Sequence, residues 1–368
     1  MNRAGRWIGA CLVLSTLVVA PLVAAEAAAA SQIDAEIQRL EEAWRQTTPS
    51  DHNLDGIVSA SRDALHSAKD ALRAGRLLLA MESLARATDL YYGVREIVAK
   101  SSEMNGGMAA FEAEWAKASR EVADRSGISR AKNWSASPAS VRALAETALG
   151  RTGPLLDGGR GFATATGPRD GLLYIGEARG QAEFAAFCAA LRLAGAKRGW
   201  VPRSLLPELL ELQEKADAAF QPPRSVDQHS RFIALNSSIK LARELDAAKS
   251  YYGALYQYLE AVRHYGMLDA PAVGAERRAE LKSAIGEEIR KGSKAGRDDS
   301  IPQIFLERTA AQIVHADGSD STADEWRTAG VVLTKVLPAY ATVLKSAPRL
   351  RTNGDRTISV TLVRWPYT

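Results

Sequence analysis

The chain is predicted to be all-α, a bundle of antiparallel helical hairpins with a short C-terminal β element, and three observations lead there. Apolar residues recur at spacings of three and four through most of its length. Glycine and proline mark the ends of many of those runs. Period-two alternation is confined to the last stretch.

The N-terminus reads first. Arg3 and Arg6 precede an apolar run from Trp7 to Ala25 that closes on the small residues Val23-Ala24-Ala25, which marks residues 1–25 as a secretory signal peptide. A retained N-terminal anchor is the alternative, because the run falls within the roughly 17–25 residues that span a bilayer. Pro21 and the Ala-rich end favour cleavage. The expected location is therefore secreted or periplasmic, with no membrane span after the leader is removed.

Composition narrows the classes. About 340 residues follow the leader, enough for a sizeable core. The chain has 47 Lys and Arg against 43 Asp and Glu, and two of the basic residues, Arg3 and Arg6, belong to the leader. The near balance, with no dense basic block, argues against nucleic acid as a partner. Of two cysteines, Cys11 lies in the leader, so Cys188 stands alone and forms no internal disulfide. Its apolar neighbours Phe184, Phe187 and Leu191 predict a buried, inert thiol.

Ile33, Ile37, Leu40 and Trp44 form one stripe on a first helix, broken at Thr48-Pro49. A second helix is predicted over 54–74 and a third over 76–100, joined at Gly75 and therefore antiparallel. The pair resembles a tetratricopeptide unit through Gly75, Ala87 and Tyr91. At the required period of about 34 residues further on, Ala109 and Glu121 match nothing, so no repeat array is expected. Met104, Met108, Phe111, Trp115, Ala118 and Val122 give a fourth helix with a buried seam. Ser137-Pro138 opens a fifth, with the serine as cap, expected to stop at Gly150.

Residues 150–171 hold seven glycines with Pro154 and Pro168, and predict an irregular loop or linker between an N-terminal helical region, 26–149, and a C-terminal one, 172–347. Leu172 to Gly176 reads as the start of the helix that carries Glu177 and Phe184. A helix over 204–220 follows, then one from Ser225, with a Ser225–Gln228 capping box, to residue 265. That last helix would be ~60 Å long, so a bend near Asn236 is expected. Helices over 271–291, 301–316 and 322–346 complete the series, the last kinked at Pro338. In the tail, 348–368, Thr357 to Val363 alternates as a strand.

Chemical signatures are sparse. The five histidines form no His-Glu-x-x-His pattern; Glu260 and His264, one turn apart, read as an ion pair, so neither metal nor cofactor is expected. Ser237-Ser-Ile-Lys240 and Ser129-Arg-Ala-Lys132 fit Ser-x-x-Lys without a Lys-Thr-Gly partner. Tyr252 and Tyr256 belong to a tyrosine group that surrounds its helix, so some of these rings must line a groove or interface. The chain is read as an exported, non-catalytic binding or scaffolding protein with a possible protein partner in the cell envelope. The alternative is an envelope hydrolase built at the 150–171 segment from Arg160, Arg169 and Glu177.

Overall fold

Short turns between long amphipathic runs produce an all-helical architecture. The computed structural model describes residues 7–47, 49, 51–193, 203–221, 226, 228–294, 298–316 and 323–346, with side chains from residue 26 onward except those of 136, 293, 294, 315 and 316. In order the helices are α1 (Trp7–Gln46), α2 (Asp55–Arg73), α3 (Leu77–Lys100), α4 (Met108–Arg130), α5 (Ala139–Ala165) and α6 (Leu172–Ala190). They continue as α7 (Leu206–Ala219), α8 (His229–Ala247), α9 (Tyr251–Leu268), α10 (Ala275–Lys294) and α11 (Ser300–Ala316). The last, α12 (Ala323–Val331), passes through a π turn, Val332–Val336, into Leu337–Ser346. That turn lies just before Pro338, where the predicted kink falls and where proline brings no backbone donor.

The described residues contain no strand, and the predicted strand 357–363 lies outside them. The signal-peptide side chains are likewise undescribed. Among the described residues no helix is long and apolar enough to cross a membrane.

Two hairpins share one turn geometry. After α2, Gly75 adopts φ +71°, its N–H donates to Leu72 O at 2.9 Å and that of Arg76 to Ala71 O at 2.9 Å. After α8, Lys249 adopts φ +60°, donating to Asp246 O at 2.9 Å while Ser250 N–H donates to Leu245 O at 2.8 Å. Both are Schellman closures, one on glycine and one on a residue that pays roughly 1 kcal/mol for the left-handed conformation. The long helix predicted over 225–265 is therefore two antiparallel helices. Its break falls at 248–250 and not at Asn236, whose amide bonds Phe232 O at 3.0 Å within α8. Of the predicted capping box, Ser225 is outside the described residues, and Gln228 donates to Leu268 O at 3.0 Å.

The glycine-rich segment is corrected most: α5 runs through Gly150, Pro154 and Gly158 to Ala165. Packing overrides propensity because these glycines let helix backbones meet. A Cβ on Gly159 would lie 3.0 Å from Gly171 O, and one on Gly150 2.7 Å from Leu245 Cδ2. The same device joins α3 to α6, where a Cβ on Gly176 would lie 2.2 Å from Tyr92 O. Buried residues line every face of α6, including Leu172, Ile175, Ala178, Phe184 and Cys188, so it is the central helix.

Distant carboxylates cap helix starts. Asp298 accepts the Ala139 N–H at 2.6 Å, in place of the predicted local cap Ser137, and Glu146 accepts the Gly253 N–H at 2.8 Å. One apolar core reaches from Ala29 of α1 to Val343, and a smaller cluster joins α7, α8 and α9. Gly176→Ala should destabilise the fold by about 3 kcal/mol, because the obstacle is backbone. Gly153→Ala, with nothing within 4 Å of the new carbon, should stabilise it by about 0.5–1 kcal/mol. Urea denaturation of the two variants measures both, and equal effects would refute the packing account.

Candidate functional site

A polar cavity of about 850 Å³ opens between α3, α5, α9 and α11, with α2 and α6 closing its sides. One wall is an ionic network. Arg308 of α11 donates to Glu260 Oε1 at 2.7 Å and to Tyr256 Oη at 2.8 Å of α9, and to both carboxylate oxygens of Glu82 on α3. The Tyr256 hydroxyl donates to Glu82 Oε1 at 2.5 Å. Arg263 Nε donates to Glu260 Oε2 at 2.8 Å, and its Nη2 lies 3.1 Å from His264 Nε2.

The charge states follow from this geometry. Burial opposes ionisation of Glu260, but Arg308 and Arg263 hold it well below the usual carboxylate range. Burial, then the charge of Arg263, lowers His264 to about 4, so near neutrality it is an uncharged acceptor for Arg263. Burial and then the Glu82 charge push the Tyr256 phenol far up. Both guanidinium groups of this wall, Arg308 and Arg263, are thus held by acceptors within it.

Other residues of the lining differ. Asp89 of α3, Thr147 of α5 and Gln312 of α11 line the cavity, and Asp89 Oδ1, Thr147 Oγ1 and Gln312 Oε1 are shut off from solvent without a hydrogen-bond partner. Burial raises Asp89 to about 6, against hydrogen bonding from Gln181 and the charge of Arg151. Burial, then the Asp89 charge, raises Glu177 to about 7. Two carboxylates thus repel each other beside one arginine. At the mouth, the exposed Arg86 and Asp63 make no side-chain hydrogen bond or ion pair among the described residues, and the exposed Arg151 faces the carboxylates only through its charge.

The residues singled out in the sequence fall in different places. Tyr256 is in the cavity and Glu177 stands beside Asp89. Tyr252 lies under Arg142, whose guanidinium is 4.5 Å from the ring centre. Arg160 donates to Glu112 at 2.8 Å and stacks 5.0 Å over Trp115, tying α5 to α4. Arg169 donates to Asp51 at 2.6 Å. Arg160, Arg169 and Glu177 engage separate partners and do not form one site, and the expected loop around them is helix up to Ala165. Glu260 and His264 are not paired with each other, since Arg263 engages both. Among the described residues no group of three or more His, Cys, Asp or Glu is placed to hold a metal ion. Lys240 of the Ser-x-x-Lys pattern faces Glu244 at 4.0 Å. Cys188 is buried and free, its thiol pushed far up by burial.

Sequence reasoning missed Asp89, Arg86, Arg151 and Arg308. Glu82, Arg86 and Asp89 recur at intervals of four and three along α3, the pattern of an ordinary solvated face. Only the helices packed opposite turn that stripe into a cavity wall. No protein-family model matches the chain, and neither a curated protein nor a solved structure matches it.

The carboxylate pair has a pH signature. Glu177 binds its proton more tightly when folded than at its ordinary 4.5, so it lowers stability as pH rises through about 7. His264 acts oppositely: the unfolded chain takes up its proton near 6.5 and the folded one near 4, so stability falls on acidification across that interval. Comparing Glu177→Gln with wild type cancels the histidine. The variant should match wild type near pH 4.5 and exceed it by on the order of 2 kcal/mol at pH 8. Denaturant unfolding at the two pH values measures this, and a difference independent of pH would contradict it.

Proposed function

We propose that the mature chain is an exported, non-catalytic binding protein that takes a small polar ligand into the cavity between α3, α5, α9 and α11. The observation that supports this reading is the grouping of three unpartnered buried oxygens, on Asp89, Thr147 and Gln312, around one space of 850 Å³. A buried polar atom without a partner costs about 1–3 kcal/mol, and native proteins keep few of them. A ligand that supplies donors removes that cost on binding. The volume falls within the roughly 300–1,000 Å³ of small-molecule sites. His264 is engaged by Arg263, and Cys188 is buried with a raised pKa, which leaves neither as base or nucleophile.

A second reading, a hydrolase, draws on the position of Glu177 beside Asp89, since a carboxyl held at about 7 suits a general acid. Turnover of chromogenic glycosides or esters that disappears in Glu177→Gln would favour it.

The binding reading is tested by thermal shift of the purified protein against free amino acids, short peptides, saccharides, polyamines and organic acids at millimolar concentration. At least one class should raise Tm, and Ser83→Phe, which fills the cavity from α3, should abolish that rise. If no class shifts the wild-type protein, the reading is wrong.

A further inference from the structure

Two of the three unsatisfied atoms in the cavity can only accept hydrogen bonds. Asp89 Oδ1 and Gln312 Oε1 are pure acceptors, and Thr147 Oγ1 accepts as well as donates. A ligand that completes them must therefore present N–H or O–H donors on that side. Asp89 adds a charge: with Glu177 it forms a carboxylate pair for which, among the described residues, Arg151 is the only cation acting on both. A protonated amine, with three donors and no acceptor, fits that end better than a neutral hydroxyl.

The mouth has the opposite character. The cations of the ionic wall, Arg263 and Arg308, are spent on Glu260 and Glu82. Arg86 and Arg151 are not spent in this way: neither guanidinium makes an ion pair or hydrogen bond among the described residues. Arg86 precedes Asp89 by three positions on α3, so the two lie about 4.5 Å apart along the axis on one face. Arg151 follows Thr147 by four on α5 and lines the same space. Acceptors at the inner end and uncommitted guanidinium groups at the mouth are complementary to a molecule with its amine at one end and its carboxylate at the other.

Resting on the binding reading above, the geometry points to a zwitterion as the ligand, a free amino acid or short peptide, with its ammonium group on Asp89 and its carboxylate on Arg86 and Arg151. Asp89 is the anchor, since its buried Oδ1 has no partner among the described residues. The arginines orient the ligand from the exposed side. Free amino acids and short peptides share this chemistry, and the size of the space leaves room for more than one residue.

Isothermal titration of the full mature chain at pH 7.5 tests the assignment with alanine, trialanine, N-acetyl-trialanine, putrescine, succinate and maltotriose. Alanine or trialanine should bind at one site, and which of them binds tighter separates the free amino acid from the peptide. Blocking the amine in N-acetyl-trialanine should weaken binding at least tenfold on unaltered protein, and putrescine and succinate, each with one kind of charge, should be weaker by a similar factor. Asp89→Asn, and separately Arg86→Gln with Arg151→Gln, should each cost the zwitterion at least tenfold. N-acetyl-trialanine binding as tightly as trialanine would overturn the assignment on wild-type protein, whatever the fate of the variants. Maltotriose, putrescine or succinate binding while both zwitterions fail would overturn the zwitterion and leave the cavity as a binding site. Failure of all six, together with the wider panel, would sink both.

Discussion

The approach of α3 to α6 is the constraint on which the remaining geometry depends. At Gly176 the α6 backbone sits so close to the Tyr92 carbonyl that a Cβ would lie 2.2 Å from the oxygen, and at Gly180 a Cβ would lie 3.0 Å from the Asp89 Cα. Backbones meet there with no side chain between them. That contact draws α6 into the middle of the bundle, where α5 and α4 also cover it. It also sets Gln181 and Glu177 beside Asp89, so the shape of the cavity wall follows from the glycines of a neighbouring helix.

Burial of charge is handled in two ways around this centre. Arg179 of α6 reaches Glu96 of α3 and Glu114 and Glu121 of α4, each at 2.7 Å, in a cluster that is mostly enclosed. Arg308 closes a similar cluster on Glu82 and Glu260. Such groups offset their own desolvation only when geometry is good, and they hold helix positions more than they add net stability. Asp89 departs from that rule, because its carboxylate is enclosed without a dedicated cation.

Legibility from sequence differed by element. The stripe of α1, the turn at Gly75 and the lead into α6 at Leu172 could be read, since a buried helix face must repeat every three or four residues; of the seam expected for α4, Phe111, Ala118 and Val122 are buried, while Met104 lies in the short turn before it and Met108 is exposed. The 150–171 segment was misread because glycine content reports backbone freedom and says nothing of a neighbour's approach; Gly150 faces Leu245 and Gly159 faces Gly171 from far along the chain. The break at Lys249 was missed because a lysine carries the left-handed position that glycine fills in the α2–α3 turn.

Of the residues picked out in sequence, the ring of tyrosines led to Tyr256, which lines the cavity, and the glycine-rich stretch led to Glu177, which stands beside Asp89. Arg160 and Arg169, grouped with Glu177 from sequence, are separate surface ties in the fold. Local sequence by itself determined that the chain is helical and where most helices begin, since periodicity and turn chemistry act over a few residues. Which charges are paired and which stand open was decided only by tertiary structure, because an ionised side chain is defined by its partners, and for Glu82 and Arg308 those lie 226 residues apart.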